Sequence, residues 1–256
     1  MKLRVAAIFA FIALVLVHTG YSQKAISKDY YADIKKTNAS KLWYNDMSVP
    51  ENDSISVTLP EPLGFIGDNY QRFYIHFISV KKSKVNPYQY FVSGKTKVKE
   101  IISGFSGTIN VVKAGIYKKQ IDENYKQGSV ECNIIFYEDS LQKSTGFFKG
   151  KLISKFFLDE RNLVWYDDIE LGADGYFNNQ CEAVWTSYKT SKSKKCNWGD
   201  YRIPQSKALD SGDGEFAVNK KYDLFGWKNY RIAWSDDPWV KGTGQAREAE
   251  NKHWWE

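Results

Sequence analysis

An all-β fold, an antiparallel meander that forms a barrel or a two-sheet sandwich, is what this sequence predicts. Three observations carry that reading. Aromatic residues make up 16% of the chain, with 15 Phe, 17 Tyr and 9 Trp, and such side chains suit pleated surfaces packed on one or both faces. Apolar positions recur with a period of two in several segments, and long Ala/Leu/Glu helical stretches are absent. Turn signals separate these segments at short intervals, as a meander requires.

The elements follow in order. Arg72–Val80 alternates Phe73, Ile75 and Phe77 with Tyr74, His76 and Ile78, so both faces are apolar and the strand is expected to be covered on both sides. Tyr88–Val98 has one apolar and one polar face, and Thr108–Val112 and Val130–Tyr137 read as further strands. The cleanest alternation is Phe147–Leu158: Phe148, Gly150, Leu152, Ser154, Phe156 and Leu158 share one face. Lys149, Lys151, Ile153 and Lys155 share the other, which should be wet. Asp159–Asn162 then turns the chain into Leu163–Tyr166, Asp174–Gly175 signals a type I′ turn, and Glu182–Tyr188 is one more strand.

The first residues address the protein. Lys2 and Arg4 precede an unbroken apolar run from Val5 to Val17, with small residues before Gln23, the pattern of a cleaved secretory signal. The run is too short to span a bilayer comfortably, so no transmembrane anchor is expected after cleavage. The organisation expected is a signal peptide over 1–22, an irregular segment over 23–68, a β domain over 69–241 and a polar tail over 242–256. The destination is outside the cell or the periplasm.

Of 36 basic and 30 acidic residues, loss of Lys2 and Arg4 leaves 34 against 30, a modest excess. The densest basic run, Lys189–Lys195, reads as a solvated hairpin tip or as a polyanion-binding patch. No nucleic-acid module is recognisable.

Three cysteines remain in an oxidising compartment. Cys181 and Cys196 flank the Lys-rich stretch and are a candidate pair for a disulfide across a hairpin or loop. Cys132 alternates with Val130, Ile134 and Phe136 and reads as a small buried filler.

Tyr70–Phe77, Phe91–Val98, Phe105–Ile109, Phe148–Lys151, Tyr166–Ile169 and Cys196–Pro204 together resemble uncharacterised secreted proteins common in Bacteroidetes, over most of residues 60–230. That resemblance implies export and one β-rich domain, and brings no activity or site residue. A weaker, architectural likeness is to the calycin barrels, carried by Glu182–Trp185, which lacks the glycine of their Gly-x-Trp motif and lies late in the chain.

No nucleophile–base signature, phosphate-binding glycine loop or zinc-ligand spacing is present, so no catalytic residue, metal or cofactor is assigned. His76 reads as a strand residue making one hydrogen bond. Asp210–Glu215 places carboxylates in a Gly-rich loop of the kind calcium uses, though its spacing is not that of an EF-hand, and it reads as a polar turn. The tryptophans Trp165, Trp185 and Trp198 are the candidate ligand-binding residues, as core, cavity wall or sugar platform. The expected function is a non-catalytic secreted protein binding a small apolar molecule or a glycan in an aromatic-lined cavity or groove. The alternatives are a secreted glycan hydrolase using carboxylates among Asp167, Asp168, Glu170, Asp213 and Glu215, and an envelope protein acting through a flat surface.

Overall fold

A computed structural model describes residues 24–44, 46–49, 52–58 and 61–256. The expected signal segment lies outside the described residues. The strands are β1 (Ile26–Asp29), β2 (Asp46–Val49), β3 (Asn52–Thr58), β4 (Leu63–Ile66), β5 (Gln71–Lys82) and β6 (Gln89–Val98). They continue with β7 (Ile101–Tyr117), β8 (Lys126–Glu138), β9 (Gly146–Leu158), β10 (Val164–Tyr166), β11 (Asn178–Ser187) and β12 (Ser193–Asp200). Among the described residues there are also three short α-helices, α1 (Tyr31–Ile34), α2 (Lys228–Ala233) and α3 (Thr243–Glu250), and three 3₁₀ turns. No helix among the described residues is long and apolar enough to cross a membrane.

All strands but β2 and β3 form one antiparallel sheet of ten strands. Hydrogen-bonded neighbours run β4-β5-β6-β7-β8-β9-β11-β12, and β12 pairs back onto β4, so the meander returns on itself as a ring. The ring is not a regular barrel. At one end β7, β8 and β9 overrun their neighbours, and there β1 pairs with β7 and β10 with β9. Bending of the wall needs small residues: the ring of Phe105 covers Gly94, where a Cβ would fall 2.6 Å from it.

Alternation sets which side chains enter the ring. Phe73, Phe136, Phe148, Phe156 and Trp198 are almost wholly buried there. Phe105 and Phe136 stack at 5.0 Å, Phe73 and Phe148 lie 5.6 Å apart, and Phe73 and Trp198 5.8 Å apart. Each such side chain contributes roughly 1.5–3 kcal/mol by leaving water. The inward face expected for Phe148–Leu158 and the buried position expected for Cys132 are both observed.

The segment before residue 69 is less irregular than its composition suggests. Residues 30–43 plug one end of the ring: the Trp43 indole donates to Ser154 Oγ at 2.8 Å, and the Ala39 amide donates to the Tyr90 hydroxyl at 3.0 Å. Asn179 Nδ2 donates to the Leu42 carbonyl at 2.8 Å. β4 also lies in this segment and closes the ring. The strand β12, unmarked by any alternation, is its other closing member.

The C-terminal third forms a layer outside the ring. Leu63 and Phe65 on the outer side of β4 pack with Ile203, Leu209, Phe216 and Trp227 in a second apolar cluster. The tail over 242–256 is also structured: α3 packs on α2, and Trp254 and Trp255 lie over Tyr74 and His76 on the outer side of β5. The expected covering of β5 on both faces is thereby met.

The Asp174–Gly175 turn exists, with the Tyr176 amide donating to the Ala173 carbonyl at 3.1 Å. Only Gly175 has a positive φ (74°), the signature of a type II rather than a type I′ turn, and the strands beside it do not pair as a hairpin.

Candidate functional site

The outer wall of the ring has a covered half and an open half. β4 and β5 lie under residues 201–255, whereas β8, β9 and β11 face solvent, and cross-strand register builds three rows on them. At the rim, Ser106, Tyr137, Phe147, Thr186 and Ser193 stand opposite one another in turn. The next row is Thr108, Ile135, Lys149, Val184 and Lys195, and the third is Asn110, Asn133, Lys151 and Glu182. At ordinary strand spacing and rise, the patch covers about 19 by 13 Å.

The rim row carries an aromatic strip. Phe147 lies between Tyr137 and Tyr188 with centroids 6.1 Å from each, and both neighbouring rings are tilted 35° to it. Tyr137 is 48% exposed and Tyr188 37%. The strip is anchored from behind by Glu138. This buried carboxylate accepts from Thr96 Oγ1 at 2.6 Å, the Gly146 amide at 2.9 Å and the Trp185 indole at 2.9 Å. The Tyr188 hydroxyl donates to the Glu138 carbonyl at 3.2 Å, and burial pushes its pKa up. The rings are thus held, with Tyr137 and Tyr188 exposed and Phe147 half-buried between them.

Beside the strip, Lys149 and Lys195 flank Val184, with Lys151 one row beyond and Lys189 and Lys192 in the hairpin that follows Tyr188. None of these lysines makes an ion pair among the described residues. Exposed ring faces with amide, hydroxyl and ammonium groups alongside can stack on sugar rings, accept and donate hydrogen bonds, and attract anions.

The candidate tryptophans lie elsewhere. Trp198 is buried in the packed ring interior. Trp185, part-buried at the rim, has its N–H committed to Glu138. Trp165 lies at the opposite end beneath Lys41, whose ammonium is 4.4 Å from the ring centroid, and its N–H donates to Asp159 Oδ2 at 3.2 Å. The structure does not bring these three residues together, nor place any of them on the open face. Inward parity and strand-end position account for this. Only the place of Phe147 was visible in the alternation, for it has the parity of Lys149 and Lys151; its meeting with Tyr137 and Tyr188 was not.

The candidate Cys181–Cys196 disulfide is not formed; both are free, buried thiols, as is Cys132. Cys181 is opposite Trp198, and Cys196 opposite Ala183, so the two cysteines are diagonal neighbours. Diagonal Cα atoms are roughly 7–8 Å apart, beyond ordinary disulfide reach. Burial pushes all three thiols up.

The candidate carboxylates separate into two groups. Asp167 is buried and accepts from Gln127 Nε2 at 2.9 and 3.1 Å, and Glu170 pairs with Lys24 at 2.5 Å. Asp213 and Glu215 are exposed on the Gly-rich loop. That loop is organised by an arginine: Arg202 donates to Asp210 Oδ2 at 2.9 Å and to the Gly212 and Gly214 carbonyls at 3.1 Å each. The oxygens a cation would use already hold a guanidinium. No group of three metal-ligating side chains occurs among the described residues.

No family model, no curated protein and no solved structure matches this chain.

Proposed function

We propose that the protein is a secreted or periplasmic, non-catalytic glycan-binding protein that meets its ligand on the open outer face of the ring. Tyr137, Phe147 and Tyr188 stack on sugar rings, and Lys149, Lys151 and Lys195 attract anionic groups such as uronates or sulfates. The observation that carries this reading is the three-ring strip, anchored from behind and exposed in front, on the half of the wall that the C-terminal layer leaves bare. The aromatic packing inside the ring favours an outer groove over an internal cavity for a small apolar molecule. Export rests on the first 22 residues and on the resemblance to secreted Bacteroidetes proteins.

Affinity electrophoresis of the mature chain through gels containing polygalacturonate, heparin or a neutral glucan tests the proposal. Retardation by a polyanion is expected, reduced tenfold or more in apparent affinity, on the order of 1.4 kcal/mol, by Phe147→Ala and by Lys149→Gln with Lys195→Gln. Equal retardation by the neutral glucan would retain stacking and remove the charge preference. No retardation by any of the three would overturn the reading.

A further inference from the structure

A second cluster lies away from the strip, where β9 overruns the ring. Lys155 leaves the outer side of β9 and meets the segment joining β10 to β11. Its ammonium is 3.5 Å from the centroid of Phe177 and 5.7 Å from that of Tyr176. Tyr176 is pinned by its hydroxyl, which donates to the Asp167 carbonyl at 2.5 Å. Asn178 ties the segment to the Lys155 backbone at both its amide and its carbonyl.

The ammonium itself makes no hydrogen bond or ion pair among the described residues. The two carboxylates whose fields reach it are otherwise engaged. Asp167 receives the Gln127 amide and the Ile169 N–H, and Glu170 receives Lys24, whose positive charge opposes that of Lys155. Partial loss of water without an acceptor disfavours the charged amine, and only the Phe177 face compensates. In keeping with this geometry, burial draws Lys155 down to about 8, against the pull of Asp167 and Glu170, and pushes Asp167 up to about 6. A cleft of about 160 Å³ is lined by Lys24, Ile26, Lys113 and Ser129 among others; Lys155 is not in its lining, but Ser129 stands directly opposite Lys155 across β8 and β9.

We infer that Lys155 is a reactive amine that captures small aldehydes as imines. The Nζ lone pair forms a bond to the carbonyl carbon while the C=O π pair moves to oxygen. Proton transfer gives a carbinolamine, and loss of water leaves the C=N bond. Amine and aldehyde become imine and water, with no change of oxidation state. Asp167, buried beside the amine, is placed to influence the proton transfers through its charge.

The test is reductive alkylation of the mature wild-type protein with limiting butyraldehyde and cyanoborohydride, each site followed by peptide mass spectrometry. A pKa near 8 rather than the usual 10.4 leaves about 200 times more neutral amine at neutral pH. Lys155 should therefore be labelled at least about tenfold faster than Lys149 or Lys195, with a rate that rises through a midpoint near pH 8. The α-amino group also reacts in this range and is resolved in its own peptide. Labelling of Lys155 no faster than those two lysines, or a midpoint like theirs, would overturn the inference. Because every site is read in the wild-type chain, a folding defect cannot imitate either result.

Discussion

Trp255 lies flat on the imidazole of His76, with centroids 4.0 Å and planes 8° apart. The same imidazole faces Glu61 through Nδ1 at 3.0 Å, and Lys95 donates to the Trp255 carbonyl. The contact is the end of a series. Along the outer side of β5, Arg72 meets Glu250 and Trp227, Tyr74 meets Trp254, and His76 meets Trp255. Period-two spacing on the strand thus provides a row of seats for the C-terminal segment.

Removing the last seat should loosen the segment without unfolding the ring. Trp255→Ala is expected to lower stability in urea by about 1–2 kcal/mol, from lost ring stacking and apolar burial. An unchanged midpoint would mean that the tail does not contribute to stability.

Arg72 is the most heavily committed residue of the series. Its guanidinium lies 4.1 Å from the Trp227 ring, 4.7 Å from Tyr74 and 5.0 Å from Tyr230, and pairs with Glu250 at 3.3 Å. The two side chains are 4% and 10% exposed, so truncating one strands a buried charge. Arg72→Ala should cost about 3–5 kcal/mol, and Arg72→Met with Glu250→Gln substantially less. A double-mutant cycle by urea denaturation checks this, and additive losses would refute the coupling.

Stability should fall as pH rises from about 4 to about 7. Asp200 lies under the N-terminal plug and accepts from the Tyr166 hydroxyl at 2.9 Å and Asn179 Nδ2 at 2.7 Å; burial pushes it up to about 7. Asp167 rises to about 6 for the same reason. An unfolded Asp titrates near 3.9, so the folded chain holds these protons more tightly. Their contribution is complete below about pH 4 and is lost as pH passes through 6 and 7. Asp200→Asn should abolish the fall between about pH 6 and 7 and make the slope between about 4 and 6, where Asp167 still contributes, shallower. Chemical denaturation across the range measures it, and an identical profile in the variant would contradict the assignment.

The thiols should be inert in the folded protein. Dithionitrobenzoate is expected to titrate Cys132, Cys181 and Cys196 only after denaturant is added, and a reductant should leave the melting temperature unchanged. Release of a melting shift by reductant would reveal a disulfide that the diagonal register disfavours.

Much of the ring was legible in one dimension because its long strands keep a strict period. Phe148, Leu152 and Phe156 against Lys149, Lys151 and Lys155 declare an inside and an outside with no reference to any partner. β12 was not legible in that way. Its inward residues Cys196 and Trp198 alternate with Asn197, which is also buried, its amide donating to the Pro204 carbonyl at 3.0 Å beneath the outer layer. A strand covered on both faces by different elements loses its alternation.

The sequence by itself determined the all-β class, the inner face of β9, the buried place of Cys132 and the absence of a recognisable catalytic motif, since each depends on neighbours close along the chain. Only the tertiary structure decided that β4 and β12 close the ring, that Arg202 fills the Asp210–Gly214 loop, and that Tyr137, Phe147 and Tyr188 form one exposed strip. It alone paired Trp255 with His76 and left the Lys155 amine without an acceptor. These relationships join residues far apart in sequence, and strand register and the covering of one outer wall, rather than local pattern, bring them together.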